Sequence, residues 1–486
     1  MASSTPVPQS QCSEAASLIE AGLESRIVFP ATNEYSERQE SYWSSCIKQL
    51  HPSCIVLPRT SEEVASTVKA LVAAGQTFAV RSGGHTHWPG SNNIGKGGVT
   101  IDLSLLKFTT YHATSETVDI GPGGRWRDVY EELHPYGRVV AGGREGNVGV
   151  AGFLLGGGLT FFTARQGFGC DNVVAFEIVL ADGRILEASR TTNTDLFLAL
   201  KGGTNNFGIV TKFTVKAIEC SSVWGGLMIF PSSCIPSAID AVTSFTSNLA
   251  SNPDDNLMCI FTYLPRFKQT MVVAICANMA GVEKAPAYEK WLALPDLIGD
   301  TMKLTTVRDM ACEYNAEADQ NVVMFTLSFK NDARILTKAS ELHDQLVQDL
   351  MVLIPEGDFT TQCAFHPLPK VFSQHSVDAG GNVMGIERND HDGIVFAAAV
   401  FLKTAEQEAA TYPMVSAWVQ GVKTYAESID GMLEWRYANY ADRTQNPFSS
   451  YGEKGVEILR AAAAKYDPEQ VFQKLCPGGF KIRDVI

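Results

Sequence analysis

No stretch of this chain approaches the ~18 consecutive apolar residues that a membrane-crossing helix needs. The longest apolar run, around Ile394–Leu402, is half that length and reads as a buried strand. Basic residues are also short: 39 Lys and Arg stand against 53 Asp and Glu, a net charge of −14. Nucleic-acid and anionic-membrane binding both draw on surplus positive charge, so neither partner is expected. Cys-x-x-Cys spacing is missing, which argues against a zinc ribbon or a thioredoxin-type redox pair. Eleven cysteines is an odd count, in a chain too large to depend on disulfide staples. There is no Asn-x-Ser/Thr acceptor, and the start MASSTPVPQSQC lacks the basic and apolar regions of a signal peptide. An intracellular protein with free thiols is the expectation, or a secreted one if the N-terminus was trimmed.

Several catalytic signatures are missing too. Without Gly-x-Gly-x-x-Gly there is no Rossmann fingerprint. Without His-Glu-x-x-His or Gly-x-Ser-x-Gly, zinc-protease and α/β-hydrolase chemistry lose their main support. Gly90–Gly97 nearly matches a phosphate-binding P-loop, but Gly97 replaces the magnesium-holding Ser or Thr and no clear helix follows. His85-Thr86-His87 has no third ligand nearby. One functional and one solvent-facing histidine is the reading, with no metal site.

What is present is ordinary globular material, 45% hydrophobic and 19% charged, in 486 residues. That length suggests two domains or one two-lobed unit. Thr60–Gly75 reads as a helix: Thr60 and Glu63 form a capping box, Val64, Val68 and Leu71 a stripe, Gly75 a stop. Strands are expected at Thr77–Val80, Val99–Leu103, Val118–Ile120 and Ile209–Val215, a short helix at Trp126–Leu133, and a hairpin around Asp182-Gly183. After about Cys220 glycine thins out. Strands at Leu257–Leu264, Met271–Ala277 and Phe396–Leu402 alternate with helices at Arg334–Met351 and Pro413–Glu427, a second α+β lobe. A last helix is expected near Gly455–Tyr466.

Three glycine-rich segments carry the chemistry. Arg81-Ser82-Gly83-Gly84-His85 follows a strand directly, and amides in such a turn can cradle a phosphate. Gly142–Gly158 holds eight glycines, and Gly202–Thr211 repeats the theme before another strand. Such density implies backbone packed against something flat and large. The three segments read as one surface for a long cofactor, with a set of tight turns as the plainer alternative.

These segments, with RSGGHTHWPGSNNI, GNVGVAGFLLGGGLTFFTARQGFGCDNV, RYANYADRTQNPFSSYG and KYDPEQVFQKLCPGGF, resemble the berberine-bridge-enzyme-like branch of the vanillyl-alcohol oxidase/PCMH superfamily. The fungal secondary-metabolite oxidoreductases look nearest. The resemblance implies an α+β fold: a two-lobed PCMH-type FAD-binding domain with an inserted substrate domain, built on an antiparallel sheet backed by helices. Residues 1–220 and 431–486 would form the FAD lobe and 221–430 the substrate lobe. It implies FAD wrapped by Arg81, Ser82, Gly83, Gly84, His85 and Thr86, with His85 bonded to the flavin 8α-methyl carbon. Asn147, Val148, Gly149 and Gly152 would line the ring. Ile209 and Val210 would bond the cofactor through backbone, and Tyr437 and Asn439 would return to the flavin. Some members add a cysteine tether; here that position falls at Glu145, so a single covalent link through His85 is expected. Cys170 lies in a different motif and reads as a small buried thiol.

The resemblance implies an oxidase or dehydrogenase that passes hydride from a small, largely apolar metabolite to flavin N5, with O2 returning the flavin to its oxidised state. A base must then take the substrate proton. Tyr437 is the leading candidate, and Glu145 is a second, as a carboxylate facing the flavin. The strand Ile394–Leu402 offers none, and Glu387, Asp390, His391 and Asp392 before it read as a solvated turn. A non-redox cyclase or isomerase on the same FAD-bound fold is the alternative. Substrate and oligomeric state are not legible.

Overall fold

A computed structural model describes residues 13–313 and 317–485. Residues 1–12, where no signal peptide was expected, lie outside that range.

Around the first glycine segment the chain builds a small parallel sheet. Cys54–Val56, Val99–Asp102 and Phe78–Arg81 run parallel, with Ile27–Val28 antiparallel on one edge. Parallel neighbours need a crossover, and the helix Ser61–Ala73 supplies it. Its signals are local: Thr60 Oγ1 accepts from the Glu63 amide at 3.2 Å, and Gly75 stops it with φ +62°. The reciprocal half of the expected capping box is displaced, since the Glu63 carboxylate accepts from the Arg59 amide and pairs with Arg26.

A five-stranded antiparallel sheet follows, in the order Thr109–His112, Thr117–Ile120, Ile209–Lys216, Val173–Val179, Ile185–Ser189. Its last pair is the expected hairpin about Asp182-Gly183. A third, nine-stranded antiparallel sheet takes its strands from between Val223 and Leu433. Its centre is Gln269–Asn278, Asp255–Leu264, Thr360–Leu368, Gly393–Leu402 and Asn321–Lys330. Alternation sorts the side chains. Cys363, Phe365, Phe396 and Ala398 point into the core, against the helices Ile235–Asn248, Ala333–Leu353 and Ala405–Ser428. Ala364, Ala397 and Ala399 lie on the opposite face, toward the glycine segments.

One helix begins earlier than the sequence suggested. Pro413 looked like a start, because proline is favoured in the first turn. The helix instead opens at Ala405 with a true capping box between Thr404 and Gln407, and Pro413 lies inside it.

The late chain returns to the early sheets. The Phe78 amide donates to Leu475 O at 2.7 Å, and Val471, Phe472 and Cys476 share a core with Cys54, Val56 and Val99. Asn206 ties the knot: its Nδ2 donates to Phe480 O at 3.0 Å and its Oδ1 accepts from Gln473 Nε2 at 2.8 Å. The ten cysteines among the described residues are free thiols, and no described helix is long and apolar enough to cross a membrane.

Candidate active site

The loop after Phe78–Arg81 is pressed against the second glycine segment. A Cβ on Gly83 would lie 2.5 Å from Gly149 Cα, and one on Gly149 would lie 2.5 Å from Gly83 N, so both positions exclude any side chain. The loop is held from behind. Arg81 is fully buried, donating to Arg38 O and Ser41 Oγ and stacking over Tyr42, so its guanidinium braces the loop rather than facing a ligand. Ser82 Oγ donates to Pro122 O, and Arg125 donates to Gly83 O at 2.9 Å.

The amides of this loop are unspent. Among the described residues, the N–H groups from Gly83 to His87, Thr86 included, meet no protein acceptor. His87 Nε2, Ser91 Oγ and Asn92 Oδ1 nearby are buried without partners. Buried polar groups are nearly always satisfied, so such a cluster marks a ligand cradle. The donor set suits an anionic pyrophosphate. His87 is buried rather than solvent-facing as expected, and burial pulls its pKa down to about 4. No group of three or more potential metal ligands exists among the described residues.

The glycines of Gly142–Gly158 divide by cause. Gly142 and Gly143 pack on the Trp126 indole, Gly146 on Ala311, Gly156 on Asn439, Gly157 on Met384 and Gly158 on Phe153. The flat, large partner inferred from sequence is, at Gly142 and Gly143, a protein side chain. Only Gly152 of the set, on the short helix Val150–Leu155, faces open space. In the third segment Ile209 and Val210 pair with Val179 and Ile178 on one side. The strand on the other side, Thr117–Ile120, pairs only from Phe213 onward. The second backbone edge of Ile209 and Val210 is thus unpaired within that sheet.

His85 stands at the mouth of this cradle. Its ring stacks on Trp43, centroids 4.4 Å apart and 10° from parallel. Its Nε2 lies 2.8 Å from Glu145 Oε2. The carboxylate sits off the ring N–H axis, and neither atom has another partner. Glu145 Oε1 accepts from the Asn147 amide at 3.0 Å, which fixes the carboxylate. Arg144 donates to His366 Nδ1 and to Tyr440 Oη, both at 3.2 Å.

That cluster escaped the sequence reading. His366 lies on Thr360–Leu368, beside the strand searched for a base, and the alternation Thr360, Gln362, Ala364, His366 was the available signal. Burial, reinforced by Arg144, drives the His366 pKa well down. Tyr440 is partly exposed and packs on the apolar face formed by Ile260, Ile275, Ala364 and Ala397, with Leu227, Met258 and Val273 beside it.

Tyr437 is placed differently. It is buried, and its oxygen accepts from the Leu159 amide at 2.8 Å and from Asn439 Nδ2 at 3.0 Å. Burial pushes its pKa up, which counts against the leading base of the sequence reading. Asn439 also donates to Phe153 O, so this pair clamps the helix Val150–Leu155. Val148 accepts from the Trp126 amide. Cys170 is buried and inert, as expected. Asp390 and His391 are exposed and pair with each other, Glu387 is exposed, and Asp392 caps Lys370: a solvated turn.

A phosphate cradle beside a histidine, facing an apolar sheet, defines an FAD-linked oxidoreductase of the PCMH fold. The family described as FAD binding domain matches residues 52–189. The FAD-dependent monooxygenase drtC of Aspergillus calidoustus is 37% identical over 96% of this chain and 90% of its own. The bifunctional solanapyrone synthase of Alternaria solani is 32% identical over 96% of this chain and 89% of its own. Among solved structures, one on the 6-S-cysteinyl, 8α-N1-histidyl FAD of glucooligosaccharide oxidase from Acremonium strictum matches with TM-score 0.75 at 17% identity, covering 96% of this chain and 99% of that one. The chain belongs to the berberine-bridge-enzyme-like family of FAD-linked oxidoreductases, among its fungal secondary-metabolism members.

Proposed function

We propose that this protein oxidises a small, largely apolar metabolite as an FAD-dependent oxidase or dehydrogenase. FAD, when bound, accepts hydride at N5 and passes the electron pair to O2, giving H2O2. The amides from Gly83 to His87 hold the pyrophosphate charge, and His85 carries the covalent link. Gly152 leaves the surface of its helix clear for the ring. The apolar wall of Met258, Ile260, Ile275 and Ala364 excludes water and selects an apolar substrate.

The observation that carries the redox reading is Tyr440. It is the phenol on that wall, and Arg144 donates into the oxygen that receives the substrate's hydroxyl or amine proton. That oxygen acts as a base only as phenolate, the proton it takes returns it to the neutral phenol, and the guanidinium holds it in place. Anaerobic mixing with substrate tests the reading: bleaching of the flavin, and peroxide release when air is admitted, are expected. Product formed without bleaching would overturn it. An atom of labelled O2 in the product would replace it with the monooxygenation that the relatives' names state.

The same wall favours a second reading, a non-redox cyclase or isomerase. An apolar cavity that holds a reactive chain in one geometry supplies much of a cyclisation rate by itself. Product would then form at full rate with oxidised flavin.

A further inference from the structure

We infer that Glu145 is the positioning residue for flavin attachment: it orients His85 so that Nδ1 is the nucleophile. This rests on the covalent link proposed above. Three contacts define the arrangement. Trp43 fixes the plane of the His85 ring, with its own amide anchored to Gly84 O at 3.0 Å. Glu145 Oε2 faces Nε2 at 2.8 Å. The Asn147 amide pins the other carboxylate oxygen.

An imidazole has one N–H and one lone pair, and a carboxylate beside one nitrogen draws the N–H to that side. With the proton on Nε2, the Nδ1 lone pair is free, and among the described residues no protein group engages it.

The His85 Nδ1 lone pair forms a bond to the 8α-methyl carbon of FAD. That carbon gives up one proton to solvent, and its C–H electron pair enters the ring system, which gains two electrons. Alkylated imidazole would be cationic, and Glu145 takes its Nε2 proton. O2 accepts the two electrons and, with both protons, leaves as H2O2.

The test follows attachment itself, not turnover. Full-length chain from a flavin-limited culture is mixed with FAD in air. Bound flavin is measured before acid precipitation and covalent flavin after it. Glu145→Gln and Glu145→Ala are expected to bind FAD but to attach it roughly 10- to 100-fold more slowly than wild type. Formate should speed attachment in Glu145→Ala and not in Glu145→Gln, which a merely structural role would not produce. Attachment at the wild-type rate in Glu145→Gln overturns the inference. So does loss of FAD binding in both variants while His85→Ala still binds it, since Glu145 would then hold the cofactor. Wild type that never retains flavin after acid overturns the covalent link first, a failure seen without any Glu145 variant.

Discussion

Three buried histidines set how this protein answers acid. Burial lowers the pKa of His87 to about 4 and of His343 to about 3, and drives that of His366 well below its ordinary value. In the unfolded chain each returns to 6.5. Below that value the unfolded state binds more protons, so the stability is complete above it and is lost as pH falls toward the folded values. At about pH 5, His87 and His343 would each cost roughly 2 kcal/mol. Urea midpoints measured from neutral to acid should therefore fall steeply for wild type and less steeply for His343→Gln, which can still reach Thr361 Oγ1, 2.7 Å from the native ring. The two tyrosines should part company in the same concrete way. Tyr440→Phe should lower kcat/KM by about 10²- to 10⁴-fold, the range for losing a general base, with the melting temperature unchanged. Tyr437→Phe should instead lower the melting temperature, because it abandons the Leu159 amide and Asn439. Cys170→Ala should leave acid-stable flavin at wild-type level, since its thiol reaches Asp171 and not the histidine loop.

Elements were legible in the sequence where their signals are local. The helix Ser61–Ala73 carries its cap, stripe and stop within sixteen positions of one another. The helix Ala405–Ser428 was half read because a proline outweighed a capping box that starts nine residues earlier. The glycine segments were found but their reasons were not, since backbone against backbone and backbone against ligand look alike in sequence. Their substitutions separate the two. Gly83→Ala and Gly149→Ala each force a Cβ into the other segment's backbone and should lose both melting temperature and FAD content. Gly152→Ala meets nothing in the protein. Alanine favours a helix over glycine by about 1 kcal/mol, so the FAD-free chain should be stabilised while FAD affinity drops. A titration of FAD against both apo variants measures the difference.

At the scale of the molecule, the α+β reading and the large helix-backed antiparallel sheet were within reach. The cluster of Arg144, His366 and Tyr440 was not. Arg144 stands 222 residues from His366 and 296 from Tyr440, so no local pattern joins them. They meet because the sheet and the second glycine segment face each other. The late chain is held to the early sheets by a few buried amides, Asn206 above all. Asn206→Ala would strand Gln473 and the Phe480 carbonyl, and should cost about 3 kcal/mol and loosen the tail. Proteolysis near residue 478 is the sensitive readout.

The same knot orders events on the ribosome. Chains emerge from their N-terminal end, and domains generally fold as they appear. The phosphate loop and its histidine are synthesised early, yet the strand beneath them takes its closing bonds from Leu475 and the residues around it. The sheet from Val223 to Leu433 can therefore fold while its template is still being read, whereas the cradle stays open until the residues around Leu475 have been made. Cofactor loading is thus a late event in the life of each molecule, and a stalled or prematurely ended message yields a protein with a finished antiparallel sheet and no closed cradle for FAD.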